Sequence, residues 1–238
     1  MTADTLDRHR WLEYASPALL AEALAERVAG ALQGAIEAKG TATLAVSGGT
    51  TPGPFFTALS RQKIAWEKVT LTLVDERFVP PSSERSNERL ARGTLLQGPA
   101  AAARFVPLFS AAGNVDAASI AAEKSVGALP RPLDVAVLGM GGDGHTASFF
   151  PDAPNLPELL SNPAGRLVLP VIAPSAGEPR LTLSMQLLAG ARLLILHIEG
   201  GSKRDMLVDA LEAPPADAPP IRQLFETSQE PVHVFWAP

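Results

Sequence analysis

The chain has 238 residues, 46% of them apolar and 19% charged, with no cysteine and a formal net charge of −5 at pH 7. That length allows one large domain or two small ones, at roughly 150 residues each, and it buries enough surface to need no disulfide or metal staple. The missing cysteines exclude disulfide frameworks, thiolate zinc sites and cysteine nucleophiles. The acidic balance disfavours a broad nucleic-acid surface and leaves room for a local anion pocket.

The N-terminal MTADTLDRHRWLEY is charged and lacks an apolar centre, so it does not resemble a secretory signal. No apolar stretch approaches the ~20 residues of a membrane helix, and a cytoplasmic location is expected. Residues 17–38 predict a helix, because Leu19, Leu20, Leu24, Val28, Leu32 and Ile36 recur at helical spacing. Ser16 is its expected N-cap, Pro17 its first residue and Gly40 its stop. A strand at 41–47, a helix at 54–61, a strand at 69–75, a helix at 84–97 and a strand at 104–109 follow. Next come a helix at 115–128 and strands at 133–139, 167–173, 180–185 and 192–198. A helix at 202–212, a proline-rich loop at 213–220 and a strand at 232–237 complete the chain. This alternation predicts an α/β fold, Rossmann-like, with a mainly parallel sheet and helices on both faces. No break in composition divides residues 1–238, so one domain is expected.

In such sheets ligands bind beyond the C-terminal ends of the strands. Three strand ends stand out. The first is Ser47, Gly48, Gly49, Thr50, Thr51, Pro52, Gly53. A glycine-rich turn into a helix presents backbone N–H groups that suit a phosphate, with Thr51 and Pro52 as expected N-cap and first helical residue. It lacks the Lys-Ser/Thr ending of a Walker loop. The second is Asp75, Glu76, Arg77, with Ser86 and Asn87 downstream. Such a cluster grips sugar hydroxyls or forms a solvated salt-bridge group, and the pattern alone favours the latter.

The third strand end, 138–151, reads LGMGGDGHTASFFP. It formally matches G-x-G-x-x-G, but no acidic residue ends the next strand as a dinucleotide site requires. His145 stands where a helix is expected to begin, which would keep its imidazole neutral and available as a base. Asp143 is placed to hold one tautomer of that ring. Arg180 and Lys203 would complete a phosphate clamp if both fold towards Ser47–Thr51. His197 and Glu199 share a strand face and are read as sheet residues, too few ligands for a metal. No nucleophile elbow or zinc-protease motif occurs, leaving metal-free acid–base work on a phosphorylated small molecule, with water as nucleophile.

Together SGGTTP, DERFVP followed by Ser86-Asn87, and GMGGDGHTASFFP resemble the 6-phosphogluconolactonase family. Arg180-Leu-Thr-Leu and Gly200-Gly201-Ser202-Lys203 fit the same pattern. The resemblance runs from about Thr43 to the C-terminal strand. It implies one α/β domain related to glucosamine-6-phosphate deaminase and ribose-5-phosphate isomerase. It also implies hydrolysis of 6-phospho-D-glucono-1,5-lactone to 6-phospho-D-gluconate, the second step of the oxidative pentose phosphate pathway, without metal or organic cofactor. The related deaminase typically has Asp-Glu-Tyr and Ile-Ala-Phe-Asn-Glu where this chain has Asp75-Glu76-Arg77 and Thr146-Ala147-Ser148-Phe149-Phe150. Phe149 for the lactonases' usual Leu, and a loop before Arg180 without their run of prolines, are departures from the lactonase pattern. The expected catalytic pair is His145 and Asp143. The expected substrate-binding residues are Ser47, Gly48, Gly49, Thr50, Thr51, Asp75, Arg77, Arg180 and Lys203. The expected partner is a small-molecule phosphorylated sugar lactone, with no nucleic acid and no membrane, on a monomer or weak homodimer. A sugar-phosphate sensor is the rival, but such regulators carry a DNA-binding helix-turn-helix. The roughly 40 residues before the first strand read here as one amphipathic helix.

Overall fold

The computed structural model describes residues 9–214 and 218–238. It opens on strand β1 (His9–Glu13), ahead of the first helix, so the N-terminal segment is not helical throughout. Helix α1 (Pro17–Lys39) begins where Ser16, in extended backbone, accepts a hydrogen bond from the Leu19 N–H at 3.3 Å. It ends at Gly40, whose φ of 84° carries its N–H back to the Ile36 carbonyl. Five of the six expected apolar positions are buried; Leu19, in the first turn, is 57% exposed and lies off the stripe.

Strand β2 (Ala42–Val46), helix α2 (Gly53–Ser60) and strand β3 (Val69–Leu73) follow in order. The chain then leaves the sheet through β4 (Asp75–Arg77), with Glu76 and Asp75 buried rather than solvated. The helix expected at 84–97 is a short α3 (Asn87–Leu90) that widens into one π-turn at Ala91–Leu95. The strand expected at 104–109 is reduced to β5 (Arg104–Val106). Next come α4 (Val115–Gly127), β6 (Val135–Leu138), α5 (Leu156–Ser161), β7 (Val168–Val171) and β8 (Arg180–Leu183). Ser184 ends β8 early, because its hydroxyl caps α6 (Met185–Ala189) by accepting the Leu187 N–H. The chain closes with β9 (Leu193–Glu199), α7 (Gly201–Glu212), α8 (Pro220–Thr227) and β10 (Val232–Ala237). The loop expected at 213–220 is partly outside the described residues; its last proline starts α8.

Seven strands form one parallel sheet in the order β1-β10-β9-β6-β2-β3-β5, flanked by helices. Central strands β2 and β6 are buried at every position, as helix cover on both faces requires. From β2 the chain winds one way to β3 and β5; from β6 it winds the other way to β9 and β10. Loops leaving β2 and β6 therefore diverge and open a crevice between them. A second, antiparallel sheet β4-β8-β7 stands beside this crevice and pairs Arg77 with Arg180 in register. No helix among the described residues is long and apolar enough to cross a membrane.

Candidate active site

A cavity of about 330 Å³ fills the crevice. Its lining joins the β2 turn (Ser47 to Pro52), Asp75 and Arg77 of β4, the β6 loop with His145, Arg180 of β8, and Lys203 of α7. Every residue expected to bind substrate lines it, and of the expected catalytic pair His145 does so directly. Asp143 stands behind the imidazole.

The β2 turn is held against β6 by the Gly139 N–H donating to Ser47 Oγ at 3.1 Å. Asn87 covers the turn from the other side. A β-carbon on Gly48 would lie 1.9 Å from Asn87 Oδ1, so that approach needs glycine. Pro52, not Thr51, is the N-cap of α2, and no side chain caps this helix end. Its N–H groups therefore meet the cavity without a competing side-chain acceptor.

Glu76 fixes Asn87. Its fully buried carboxylate accepts the N–H groups of Arg77, Asn87 and Glu88, each at 2.8 Å, and the Ser86 hydroxyl at 3.0 Å. Burial pushes this carboxyl above its ordinary value, and those four hydrogen bonds pull the other way. Neighbouring Asp75 faces the cavity, and its Oδ2 accepts the buried Ser148 hydroxyl at 2.6 Å. Ser148 thus ties the β4 end to the His145 loop, a link without a sequence motif of its own.

Arg77 and Arg180 face each other across the β4–β8 pair. Arg77 donates to the Arg85 carbonyl, and Arg180 Nη2 donates to the Ala176 carbonyl at 2.8 Å. The buried Nε of each has no hydrogen-bond partner. Desolvation lowers the Arg180 pKa; Asp75 raises it and Arg77 lowers it further. Two guanidiniums with unspent donors make a site for an anion or for oxygen-rich ligands. Lys203 donates to the Met140 carbonyl, and burial lowers its pKa against the opposing pull of Asp143.

No helix begins at His145; Thr146 and Phe149 close a turn instead, with the Phe149 N–H on the Thr146 carbonyl at 3.0 Å and Ala147 at φ 48°. The expected helix dipole is therefore absent. The imidazole is governed by Asp143, whose Oδ1 lies 2.6 Å from Nδ1 and also accepts the His145 backbone N–H at 3.1 Å. An ionised carboxylate only accepts, so Nδ1 carries the proton and Nε2 is left as the basic atom. Desolvation works to raise the Asp143 pKa, but its bonds to the His145 backbone and ring hold it below the ordinary aspartate value. Phe150 packs on the imidazole at 4.5 Å between centroids and carries the Arg180 guanidinium 5.4 Å from its ring centre. One aromatic ring thus spaces the base from the cation.

His197 and Glu199 also line the cavity and are not sheet residues alone. Their signal was a polar pair at alternate positions closing an otherwise apolar strand. Among the described residues no three His, Asp or Glu side chains are grouped to hold a metal ion.

The fold and the cavity define an α/β protein with a crevice at the sheet's switch point, with His145 in its wall and Asp143 behind that ring. The chain belongs to the family of glucosamine-6-phosphate isomerases and 6-phosphogluconolactonases, which matches residues 15–236. It is 53% identical to a 6-phosphogluconolactonase of Mesorhizobium japonicum over 97% of this chain and 96% of that one. A 6-phosphogluconolactonase of Rhizobium meliloti is 50% identical over 94% of this chain and 97% of its own length. The crystal structure of a 6-phosphogluconolactonase from Shewanella baltica superposes with a TM-score of 0.93 at 38% identity, covering 97% of this chain and 98% of that one.

Proposed function

We propose that this protein hydrolyses 6-phospho-D-glucono-1,5-lactone to 6-phospho-D-gluconate by general-base activation of water. The observation that carries this reading is that His145, backed by Asp143, and the Ser47–Thr51, Arg180 and Lys203 group line one cavity sized for a single small ligand. The phosphate docks on the backbone N–H groups of Ser47–Thr51, and Arg180 and Lys203 neutralise its charge. That anchor sets the C1 carbonyl beside His145. Nε2 takes a proton from water, whose oxygen bonds to C1; the C1–ring-oxygen bond then breaks and the imidazolium returns the proton to that oxygen. Asp143 keeps the ring oriented and stabilises its charged form. Arg77 stabilises the developing oxyanion, a role its place in the cavity lining supports. A lactone ester is reactive, so general-base assistance of about 10²–10⁴-fold plus positioning is a sufficient demand.

The same reading takes residues 1–238 as one domain acting as a monomer or weak homodimer in the cytoplasm, independent of nucleic acid and membrane. Phe149 and Phe150 stand where the related deaminase typically carries its relay carboxylate region, which favours hydrolysis over deamination. The test is the rate of 6-phosphogluconolactone opening with purified protein and a chelator, corrected for spontaneous opening. Acceleration is expected. A strict metal requirement, or ammonia release from glucosamine 6-phosphate in place of lactone hydrolysis, overturns the reading.

A further inference from the structure

The mechanism leaves the His197–Glu199 pair of the cavity wall unused. Leu193, Ile195, His197 and Glu199 fall on one face of β9 by strand alternation. The first two are buried apolar residues; the last two bring an imidazole and a carboxylate to the cavity at the strand's C-terminal end. His197 is 4% exposed and sits edge-on to Phe55 at 6.2 Å, which fixes its ring plane. Its Nε2 lies 3.0 Å from Glu199 Oε1. Burial pushes the His197 pKa down against the pull of Glu199, so the neutral ring is the donor in this pair. Among the described residues His197 is the one hydrogen-bond partner of the Glu199 carboxylate, and Oε2 is unspent.

We propose that Glu199, held by His197, is a specificity-determining residue whose free oxygen accepts a hydrogen bond from a ring hydroxyl of the phosphorylated lactone. Charge placement selects this ligand group. A carboxylate repels phosphate, and the cations of the cavity answer to other carboxylates: Lys203 to Asp143, and Arg180 to Asp75, Glu178 and Glu76. Glu199 therefore meets the uncharged part of the ligand. Of the groups there only hydroxyls donate; the lactone carbonyl and ring oxygen do not. Hydroxyl-to-carboxylate hydrogen bonds are short and charge-assisted, and an acceptor that the bound ligand covers without pairing penalises a ligand lacking that hydroxyl. His197 acts through Glu199 and is a positioning residue.

The inference rests on the lactonase reading, and the experiment separates the two. Full-length protein is assayed with 6-phosphogluconolactone and its 2-deoxy, 3-deoxy and 4-deoxy counterparts. The wild type is expected to lose about 10–100-fold in kcat/KM with at least one deoxy lactone. Glu199→Ala should raise KM for the parent lactone by a similar factor, hold kcat within about twofold, and erase the penalty for that same deoxy compound. Glu199→Gln, which keeps shape and an acceptor, should restore part of the discrimination; His197→Phe should fall between wild type and Glu199→Ala. If Glu199→Ala keeps every deoxy penalty, or loses kcat at unchanged KM, the carboxylate reads no hydroxyl and the proposal is overturned. A wild type that opens no lactone would instead overturn the lactonase reading beneath it.

Discussion

Replacing Gly141 by alanine tests the catalytic pair without touching either member. The Gly141 N–H donates to the His145 carbonyl at 2.8 Å, and its own carbonyl accepts the Gly144 N–H at 3.2 Å, so the loop folds back over this residue. Its φ is not in the left-handed region, so alanine suits the backbone. The obstacle is the β-carbon, which would lie 2.1 Å from His145 Nδ1, 2.2 Å from Cε1 and 2.6 Å from Asp143 Oδ1. Ordinary contact begins at 3.4 Å, so the ring must move by about 1.3 Å. Phe150, packed on the imidazole, limits where it can go. Misplacing a reacting group by about 1 Å costs on the order of 100-fold, or about 2.7 kcal/mol of transition-state stabilisation. Gly141→Ala should therefore lower kcat about 100-fold while stability changes by less than about 1 kcal/mol, read by lactone hydrolysis and thermal melting. Gly142→Ala is the control, because a β-carbon there meets nothing within 4 Å. Wild-type kcat in Gly141→Ala, or an equal loss in Gly142→Ala, would refute the claim that the 2.6 Å pair is the working base.

Asp143→Asn should lower kcat about 10²–10⁴-fold at nearly unchanged KM, since an amide no longer enforces the Nδ1–H tautomer; steady-state kinetics with a melting control check it. Lys203→Ala and Arg180→Ala should each raise KM for the phosphorylated lactone about 10–100-fold, yet leave turnover of unphosphorylated gluconolactone unchanged. Equal damage to both substrates would remove these cations from phosphate binding. His197 and His233 are both held below the ordinary histidine value, His197 by burial and His233 by burial together with Arg27 and Arg10. The unfolded chain then takes up protons first as pH falls, so their contribution to stability is complete above about pH 6.5 and declines through the lower folded values. Melting temperature should fall from pH 7.5 to 5, and less steeply in His233→Asn; a flat profile contradicts the linkage.

What was legible in the sequence was what backbone physics dictates locally. Ser16-Pro17 and Gly40 marked the ends of α1 because capping is a contact between near neighbours. The strands β2, β6 and β9 were legible because burial on two faces leaves an unbroken apolar run. The β2 turn and the His145 loop were legible as chemistry because glycine clusters and a histidine–aspartate pair are rare together. Local reading failed where a segment's conformation is set elsewhere. Thr146–Phe149 has residues fit for a helix start but is drawn into a turn, with Thr146 Oγ1 on the Gly139 carbonyl at 2.8 Å and Ser148 Oγ on Asp75. Asp75 and Glu76 looked like solvated charges because the groups that bury them, Ser148 and the N-terminus of α3, are 10 to 73 residues away.

The misses share a cause that bears on the site itself. Asp75–Ser148, Asn87 over Gly48, and Arg77 beside Arg180 are all contacts between the β4 branch and elements on either side of the crevice. The switch point alone supplies a turn for an anion and a loop for a base. The β4 branch then encloses them, because Glu76 ties the N-terminus of α3 to β4 with three hydrogen bonds. Asn87 is thereby pressed onto the glycine turn, and Arg77 is swung to Arg180. The glycine turn and the His145–Asp143 pair were readable from the two loops, but the shape and charge of the cavity come from a branch whose role is tertiary. Substitutions that loosen Glu76 should accordingly disturb ligand affinity before they disturb the His145–Asp143 pair, which is anchored on β6 by Gly141 and Gly139.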